Sequence, residues 1–124
     1  MTIHMGTDED TTVSQLEDMV ERFCEERDWD RFHGPKDLAI GLATESSELL
    51  QIFRFKNDEE SKALVDGASR DHVKEELADS LYFILRFARM NGIDLTGSLR
   101  DKLVKNAEHY PVETSRGSNR KYDE

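Results

Sequence analysis

Apolar residues recur along most of this chain at intervals of three and four, which is the period of a helix that buries one face. No stretch alternates apolar and polar residues as a half-buried strand would, and the chain contains only two prolines. The pattern therefore predicts an all-α protein, built as a four-helix, bundle-like domain.

Capping signals place the ends of the first two predicted helices. Thr12 and Gln15 have the spacing of a capping box, so the first helix is predicted to begin after Thr12 and to end near Asp28. Pro35 suits the first turn of a helix because its missing N–H group needs no partner there. The second helix is therefore predicted to run from Pro35 to about Phe55.

Similar signals mark the ends of the other two predicted helices. Ser69 or Asp71 can cap the third helix, which should run to Gly92, a residue that tolerates the left-handed conformation at a helix end. The fourth should begin within residues 94–96 and stop before Pro111. Between the second and third helices, residues 57–69 are predicted to form a polar, mostly acidic connection with room for a helical turn.

Domain organisation follows from the same reading. At 124 residues the chain has the length of one domain. Residues 1–111 are predicted to form it, and residues 112–124, which mix Ser, Gly, Arg and Lys, are predicted to be a mobile C-terminal tail until a ligand binds them.

Charge and cysteine content limit the kinds of ligand that the protein is expected to bind and the cellular compartment in which it is expected to occur. The formal net charge is -10, so most of the surface should repel nucleic acid polymers, and a phosphorylated ligand should need a metal ion or a local basic cluster. The single cysteine, Cys24, cannot form an internal disulfide. Residues 1–10 are polar and acidic rather than a signal peptide, and no apolar run could span a membrane. A cytoplasmic location is expected, with no membrane partner.

Two acidic pairs carry the strongest functional signal. Glu45 and Glu48 lie in the second predicted helix, and Glu76 and Asp79 lie in the third, in each case within apolar surroundings that predict burial. A spacing of three puts both members of a pair on one side of a helix. Such pairs also occur by chance on solvated or salt-bridged surfaces, above all in a chain with 35% charged residues. Two pairs on two central helices favour a site, because buried carboxylates need a partner.

The donor set indicates which metal would fit this site. Four converging carboxylates suit a hard divalent cation, so Mg²⁺ is expected, with Mn²⁺ as a substitute. A carboxylate di-iron centre would need Glu-x-x-His motifs, which neither pair supplies. Because such ions act on phosphate oxygens, the expected reaction is hydrolysis of a phosphoanhydride.

With these pairs in place, the chain resembles the all-α nucleoside triphosphate pyrophosphohydrolases of the MazG type, most closely the dCTP pyrophosphatase branch. The resemblance spans nearly the whole chain. Besides the acids it rests on Arg27-Asp28-Trp29, Phe32-His33-x-Pro35, Leu49 to Lys56, Lys102-x-x-x-Asn106-x-x-x-Tyr110-Pro111 and Ser118-x-Arg120-Lys121-Tyr122.

The resemblance implies hydrolysis of a (deoxy)nucleoside triphosphate between its α and β phosphates, in a homodimer or homotetramer that cleans the nucleotide pool. It also implies that Glu45, Glu48, Glu76 and Asp79 hold Mg²⁺, with Glu45 and Glu48 as the catalytic pair. Thr44 stands where some relatives carry a further glutamate that helps to activate water. The general base is therefore left open, with Glu48 favoured.

The same resemblance names a set of substrate-binding residues. Trp29, Phe55 and Asn106 would shape the base and sugar pocket, and Lys102, Arg120, Lys121 and Tyr122 would meet the phosphates. Trp29 could instead plug the contact between two helices, and His33 either bonds the base or caps the second helix. Phe55 and Val20 stand where relatives carry a tryptophan and a histidine, which leaves base selectivity open. Arg86 and Arg89 are expected to face solvent, with the alternative that one of them reaches the phosphates from a neighbouring subunit.

Two alternatives remain at this point. The chain could be a non-catalytic acidic helical module whose central charges pair with a basic partner. It could also be an enzyme that cleaves another diphosphate, such as a phosphoribosyl nucleotide. The identity of the base, the preference for ribose or deoxyribose and the number of metal ions are left open.

Overall fold

Helices make up most of the protein, and no strand occurs in residues 3–124, the part of the chain that this computed structural model describes. Met1 and Thr2, the start of the polar N-terminal segment, lie outside the described residues. The α-helices are α1 (Val13–Glu26), α2 (Pro35–Phe53), α3 (Asp58–Asp66), α4 (Arg70–Met90), α5 (Leu95–His109) and α6 (Val112–Ser115). The all-α prediction is confirmed. None of these helices combines the length and the apolar character that crossing a membrane requires.

Most of the predicted helix boundaries are confirmed. The Thr12 side chain accepts a hydrogen bond from the Gln15 backbone N–H at 3.1 Å, and the Thr12 backbone N–H donates to the Gln15 side-chain oxygen at 2.8 Å, which completes the capping box of α1. Pro35 is the first residue of α2. Gly92, just beyond α4, has a φ of 63°, in the left-handed region that glycine enters at low cost.

The prediction of four helices is too low by two in the described chain. Residues 57–69 contain α3, which begins at a second capping box formed by Asn57 and Glu60. Residues 112–124 contain the short helix α6. Ser69 occupies the position before α4 but its side chain makes no capping hydrogen bond. A 3-10 turn, Asp30–Phe32, lies within the connection between α1 and α2.

The chain divides into two compact units, residues 3–92 and residues 93–124. In the first unit α4 is the central helix and packs against α1, α2 and α3, with α2 as its most extensive neighbour. Gly41 of α2 lies directly against Phe83 of α4. The buried apolar residues of this unit are Cys24, Leu38, Val73, Leu85 and Ala88.

Arg89 ties α1 to α4 rather than facing solvent, so that prediction is wrong. Its guanidinium lies 2.6 Å from the Glu21 carboxylate and 2.8 Å from that of Asp18, and it also donates to the Ser14 carbonyl oxygen at 3.2 Å. The acidic face of α1 therefore supplies partners for a half-buried cation on α4.

Candidate metal centre

Three acidic side chains from two helices converge on one point. Glu45 comes from α2, and Glu76 and Asp79 come from α4, where the spacing of three places them a turn apart. One carboxylate oxygen from each residue lies within 4.8 Å of the others. One member of the first acidic pair and both members of the second thus meet across the contact between α2 and α4.

Glu48 is outside this group of three but is electrostatically part of the cluster. The proximity and the charge of Glu48 both contribute to raising the pKa of Glu45 and the pKa of Glu76. Burial differs among the four acids: Glu76 is 8% exposed and Glu45 is half-buried, whereas Glu48 and Asp79 are exposed. The expected burial is therefore wrong for Glu48 and Asp79. Three residues correspond to about 300° of rotation, so the members of a pair point about 60° apart, and one of them reaches solvent.

Burial and mutual repulsion favour the protonated carboxyl groups. Desolvation is the largest cause that raises the pKa of Glu45 to about 7, and the neighbouring charges of Glu48, Asp79 and Glu76 add to it. Desolvation, followed by Glu48 and Asp79, raises the pKa of Glu76 in the same way. A cation placed among these groups would favour the ionised carboxylates and would lower the pKa values of Glu45 and Glu76.

His72 partly offsets the charge of Glu76 and was missed by the sequence reasoning. Its Nε2 atom lies 3.3 Å from Glu76 Oε1, one helical turn away on α4. The signal was present in the spacing of four between the two residues, which lets a histidine reach a carboxylate on the same helix face.

The cluster fits a divalent metal ion by the chemistry of its donors. In the described part of the chain, no hydrogen-bond donor reaches the buried Oε2 atoms of Glu45 and Glu76. A buried, unpaired carboxylate oxygen is costly, and a hard cation is the partner that such oxygens bind best. Glu45, Glu76 and Asp79 could hold the ion directly, with Glu48 at the edge of the site.

Aromatic rings surround the connection between α1 and α2. The Trp29 ring packs edge to face against Phe23 at 5.6 Å and against His33 at 6.3 Å, and the His33 ring does the same against Tyr82 at 6.5 Å. Trp29 is still 38% exposed. It therefore joins helices through one part of its ring and leaves another part open to a ligand.

Arg86 anchors this aromatic connection to α4. The residue is 1% exposed, so the prediction that it faces solvent is wrong. Its Nε–H donates to His33 Nδ1 at 3.0 Å, and its Nη2–H donates to the Asp30 carboxylate in the 3-10 turn. His33 does not cap α2, because Gly34 occupies that position and makes no side-chain capping bond.

Phe55, the other predicted base-pocket aromatic residue, lies just after α2 and is 90% exposed. Its φ is 67°, a left-handed value that is unusual for a bulky side chain. The Arg54 guanidinium lies over its ring at 4.7 Å from the centroid. Phe55 is therefore part of an open surface and does not lie inside a closed pocket of this chain.

The remaining predicted substrate residues belong to the second unit. Lys102 and Asn106 lie one turn apart on α5. Tyr122 folds back onto α5, with its ring 4.0 Å from that of His109 and 5.8 Å from that of Tyr110. A cavity of about 240 Å³ opens here, lined by His109, Tyr110, Thr114, Ser115, Ser118, Arg120, Lys121, Tyr122 and Glu124. The structure thus brings Arg120, Lys121 and Tyr122 together around one polar cavity.

Several known proteins are similar in sequence to this chain over most of its length. The family model described as MazG-like matches residues 40–124. Over 112 residues the chain is 34% identical to dCTP pyrophosphatase 1 of Rattus norvegicus and 35% identical to that of Bos taurus, which covers 90% of this chain and 66% of each relative. The human dCTP pyrophosphatase 1 is 32% identical, over 91% of this chain and 67% of the relative. The chain spans about two thirds of the length of these curated relatives.

A solved structure has the same fold. The crystal structure of a pyrophosphatase from Archaeoglobus fulgidus matches this protein with a TM-score of 0.74 and 31% sequence identity, over 89% of this chain and 99% of that one. These matches confirm the resemblance that the acidic pairs and the flanking motifs predicted. The chain belongs to the MazG-like family.

Proposed function

We propose that this protein is a nucleoside triphosphate pyrophosphohydrolase that uses Mg²⁺ to convert a (deoxy)nucleoside triphosphate into the monophosphate and pyrophosphate. One observation carries the proposal: Glu45, Glu76 and Asp79 converge from two helices and leave buried oxygens without a donor. Relatives at 32% to 35% identity are named dCTP pyrophosphatase 1, which supports this substrate class.

The acidic cluster would hold the metal through Glu45, Glu48, Glu76 and Asp79. When bound there, Mg²⁺ would neutralise charge on the phosphate oxygens and orient the anhydride for in-line attack. His72, bonded to Glu76, would keep the Glu76 carboxylate oriented, as partners of metal ligands commonly do.

Glu48 is our proposed general base. It is exposed and lies beside the buried acids, so its carboxylate can reach both the site and incoming water. In the proposed step the water oxygen forms a bond to phosphorus, and the bridging P–O bond between the α and β phosphates breaks. The water proton passes to a Glu48 carboxylate oxygen, and pyrophosphate leaves. Thr44, directly before Glu45, has its hydroxyl bonded to the Ile40 carbonyl oxygen and is not suited to this role.

Candidate substrate-binding groups occur in each of the two units, taken separately. The open part of Trp29 and the exposed ring of Phe55 offer stacking surfaces for a base, and Asn106 offers an amide. Lys102, Arg120, Lys121 and Tyr122 would bind the phosphates. The polar cavity lined by the last three supports this assignment, because Arg120 and Lys121 place two cations there, next to one acid, Glu124, in a protein of net charge -10. In this proposal residues 1–111 form the catalytic domain, and residues 112–124, which contain α6 and pack Tyr122 against α5, form a C-terminal tail that contributes to ligand binding.

We also propose that the enzyme is a homodimer or homotetramer. On α4, Leu77, Leu81 and Ile84 recur at intervals of four and three and are all exposed. On α2, Ile40 and Leu50 are more than half exposed. So large an apolar surface is unusual for a monomer and fits a second copy of the chain. The proposed role is cytoplasmic removal of unwanted nucleotides.

An assay of products would test the activity. The protein is incubated with Mg²⁺ and a panel of canonical and modified triphosphates, together with a phosphoribosyl nucleotide, and pyrophosphate is measured separately from phosphate. We expect equal amounts of pyrophosphate and nucleoside monophosphate. Release of single phosphates, or cleavage of the phosphoribosyl nucleotide alone, would contradict the proposal.

Thermal melting separates the enzyme from a non-catalytic interaction module. A ligand that binds only the folded state raises the melting temperature. We expect stabilisation by Mg²⁺ together with a non-hydrolysable triphosphate analogue, beyond that of either alone. Absence of any shift would favour the interaction module.

A further inference from the structure

A buried cation lies beside the histidine of the aromatic connection. Arg86 on α4 is 1% exposed, and it uses its Nε–H to bond His33 Nδ1 and its Nη2–H to bond Asp30. Both partners lie more than fifty residues away in the sequence, in the short segment that also carries Trp29. The guanidinium therefore fixes two points of this segment at once.

The chemistry of arginine dictates the protonation of His33. A guanidinium has only hydrogen-bond donors, so the Nδ1 atom that it contacts must be an acceptor without a proton. The proton of the neutral imidazole is then on Nε2. Burial, followed by the charge of Arg86, lowers the pKa of His33, while Asp30 in the 3-10 turn and Asp37 on α2 act in the opposite direction. His33 is accordingly neutral at physiological pH.

We infer that Arg86 is a positioning residue, which holds His33 as the Nε2–H tautomer so that the imidazole donates a hydrogen bond to an acceptor atom on the nucleobase. This inference rests on the proposed function. The ligand chemistry is a base that presents a carbonyl oxygen or an unprotonated ring nitrogen at that edge. A base that presents an N–H group there would meet a second donor and be rejected.

The surroundings of His33 make one fixed donor effective. Its ring lies between those of Trp29 and Tyr82, 6.3 Å and 6.5 Å from their centroids. Trp29 is 38% exposed and is the proposed stacking surface, so a base stacked there would lie beside the His33 ring. A base without an acceptor at that edge would leave the Nε2–H unpaired, which costs binding free energy. The tautomer of His33 would then be a determinant of specificity rather than a detail of packing.

Nitrogen NMR of histidine-labelled protein tests the tautomer without any need for activity. In the wild type at pH 7.5, we expect His33, assigned by its absence from His33→Phe, to show one protonated Nε2 and one unprotonated Nδ1. In Arg86→Met we expect a mixture of tautomers. Asp30→Asn is the matched control, because it changes the other partner of Arg86 and leaves the bond to His33 in place. A single Nε2–H tautomer in Arg86→Met would overturn the inference.

A double-mutant cycle in the pyrophosphate assay tests the role in binding. Arg86→Met and His33→Phe should each raise KM about three- to tenfold, the usual value of one hydrogen bond, with kcat nearly unchanged. The double variant should be no worse than His33→Phe, because both changes remove the same donor. Additive losses, or a loss confined to kcat, would contradict the inference. An inactive wild type would refute the proposed function instead, and the NMR result would still decide the tautomer.

Discussion

Gly41 of α2 lies so close to Phe83 of α4 that a Cβ atom at Gly41 would come within 3.0 Å of three carbons of the ring. One turn further along α2 is Glu45, and one turn back along α4 is Asp79, so the two helices run antiparallel and the acids meet beside this contact. The close approach at Gly41 thus sets the separation of the two helices that carry the acidic cluster.

Gly41→Ala should therefore destabilise the protein, by about 1–3 kcal/mol, because overpacking a close helix contact outweighs the roughly 1 kcal/mol that alanine gains over glycine within a helix. It should also weaken Mg²⁺ binding, since the helices must separate. Urea unfolding and calorimetry measure the two effects.

Ser47→Ala, an exposed position on the same helix, is the matched control and should change the stability by less than about 0.5 kcal/mol. Adding Phe83→Leu to Gly41→Ala should recover part of the loss, because the smaller side chain leaves room for the new methyl group. A Gly41→Ala protein more stable than the wild type would contradict this account of the contact.

Glu45→Gln should abolish turnover while the protein stays folded. Even residues that only orient metal ligands typically contribute about 10- to 100-fold, so the loss of a ligand should exceed a hundredfold. The free energy of unfolding without metal should stay equal or rise, because one of the mutually repelling carboxylates is gone. Glu75→Gln, at an exposed position beside Glu76, is the control and should retain activity. Undiminished hydrolysis by Glu45→Gln would refute the assignment of the site.

Metal binding should release protons. Because the pKa of Glu45 is raised to about 7 in the metal-free protein, part of this group is protonated at pH 6.5 and must ionise when Mg²⁺ binds. Calorimetric titrations in two buffers of different ionisation heat measure the number of protons. The apparent affinity should rise with pH and level off above about 7. Equal heats in both buffers at pH 6.5 would contradict the raised pKa.

The raised pKa of Glu45 also affects the stability of the metal-free protein. The folded state holds the Glu45 proton more tightly than the unfolded state, whose pKa is near 4.5. The contribution of this group therefore falls as the pH rises from about 4.5 to 7, and saturating Mg²⁺ should remove that slope.

His33 should produce the opposite pH dependence. Burial and Arg86 lower its pKa below the ordinary 6.5, so the unfolded state takes up a proton first as the pH falls. The stability from this histidine is complete above pH 6.5 and is lost as the pH decreases through the folded pKa. Denaturant unfolding between pH 5 and 7.5 measures the slope, with His33→Gln as the control that should lack it.

Helix ends were predicted correctly where particular residue types mark them. Three such marks are the capping box of Thr12 with Gln15, the N-terminal Pro35 and the left-handed Gly92. The α3 helix was missed although Asn57 and Glu60 form the same kind of box. Its residues are mostly acidic, and too few apolar positions were available to reveal a buried face.

The candidate site divides along similar lines. Glu45, Glu76 and Asp79 were predictable because helical spacing places acids within apolar stretches. The burial of Arg86 could not be predicted, because arginine side chains are normally exposed and the two partners of Arg86, Asp30 and His33, are distant in sequence. Only the folded chain brings that cation to its acceptors.

The unpaired oxygens of Glu45 and Glu76 link folding to purification conditions. A chelator in the buffer would remove the one partner that the crowded carboxylates lack, and the contact between α2 and α4 would loosen first. Proteolysis and precipitation of such a preparation would then reflect a missing ion rather than a poor sequence. If the site holds magnesium as proposed, supplying that ion from cell lysis onward should raise the yield of folded protein, even in the absence of substrate.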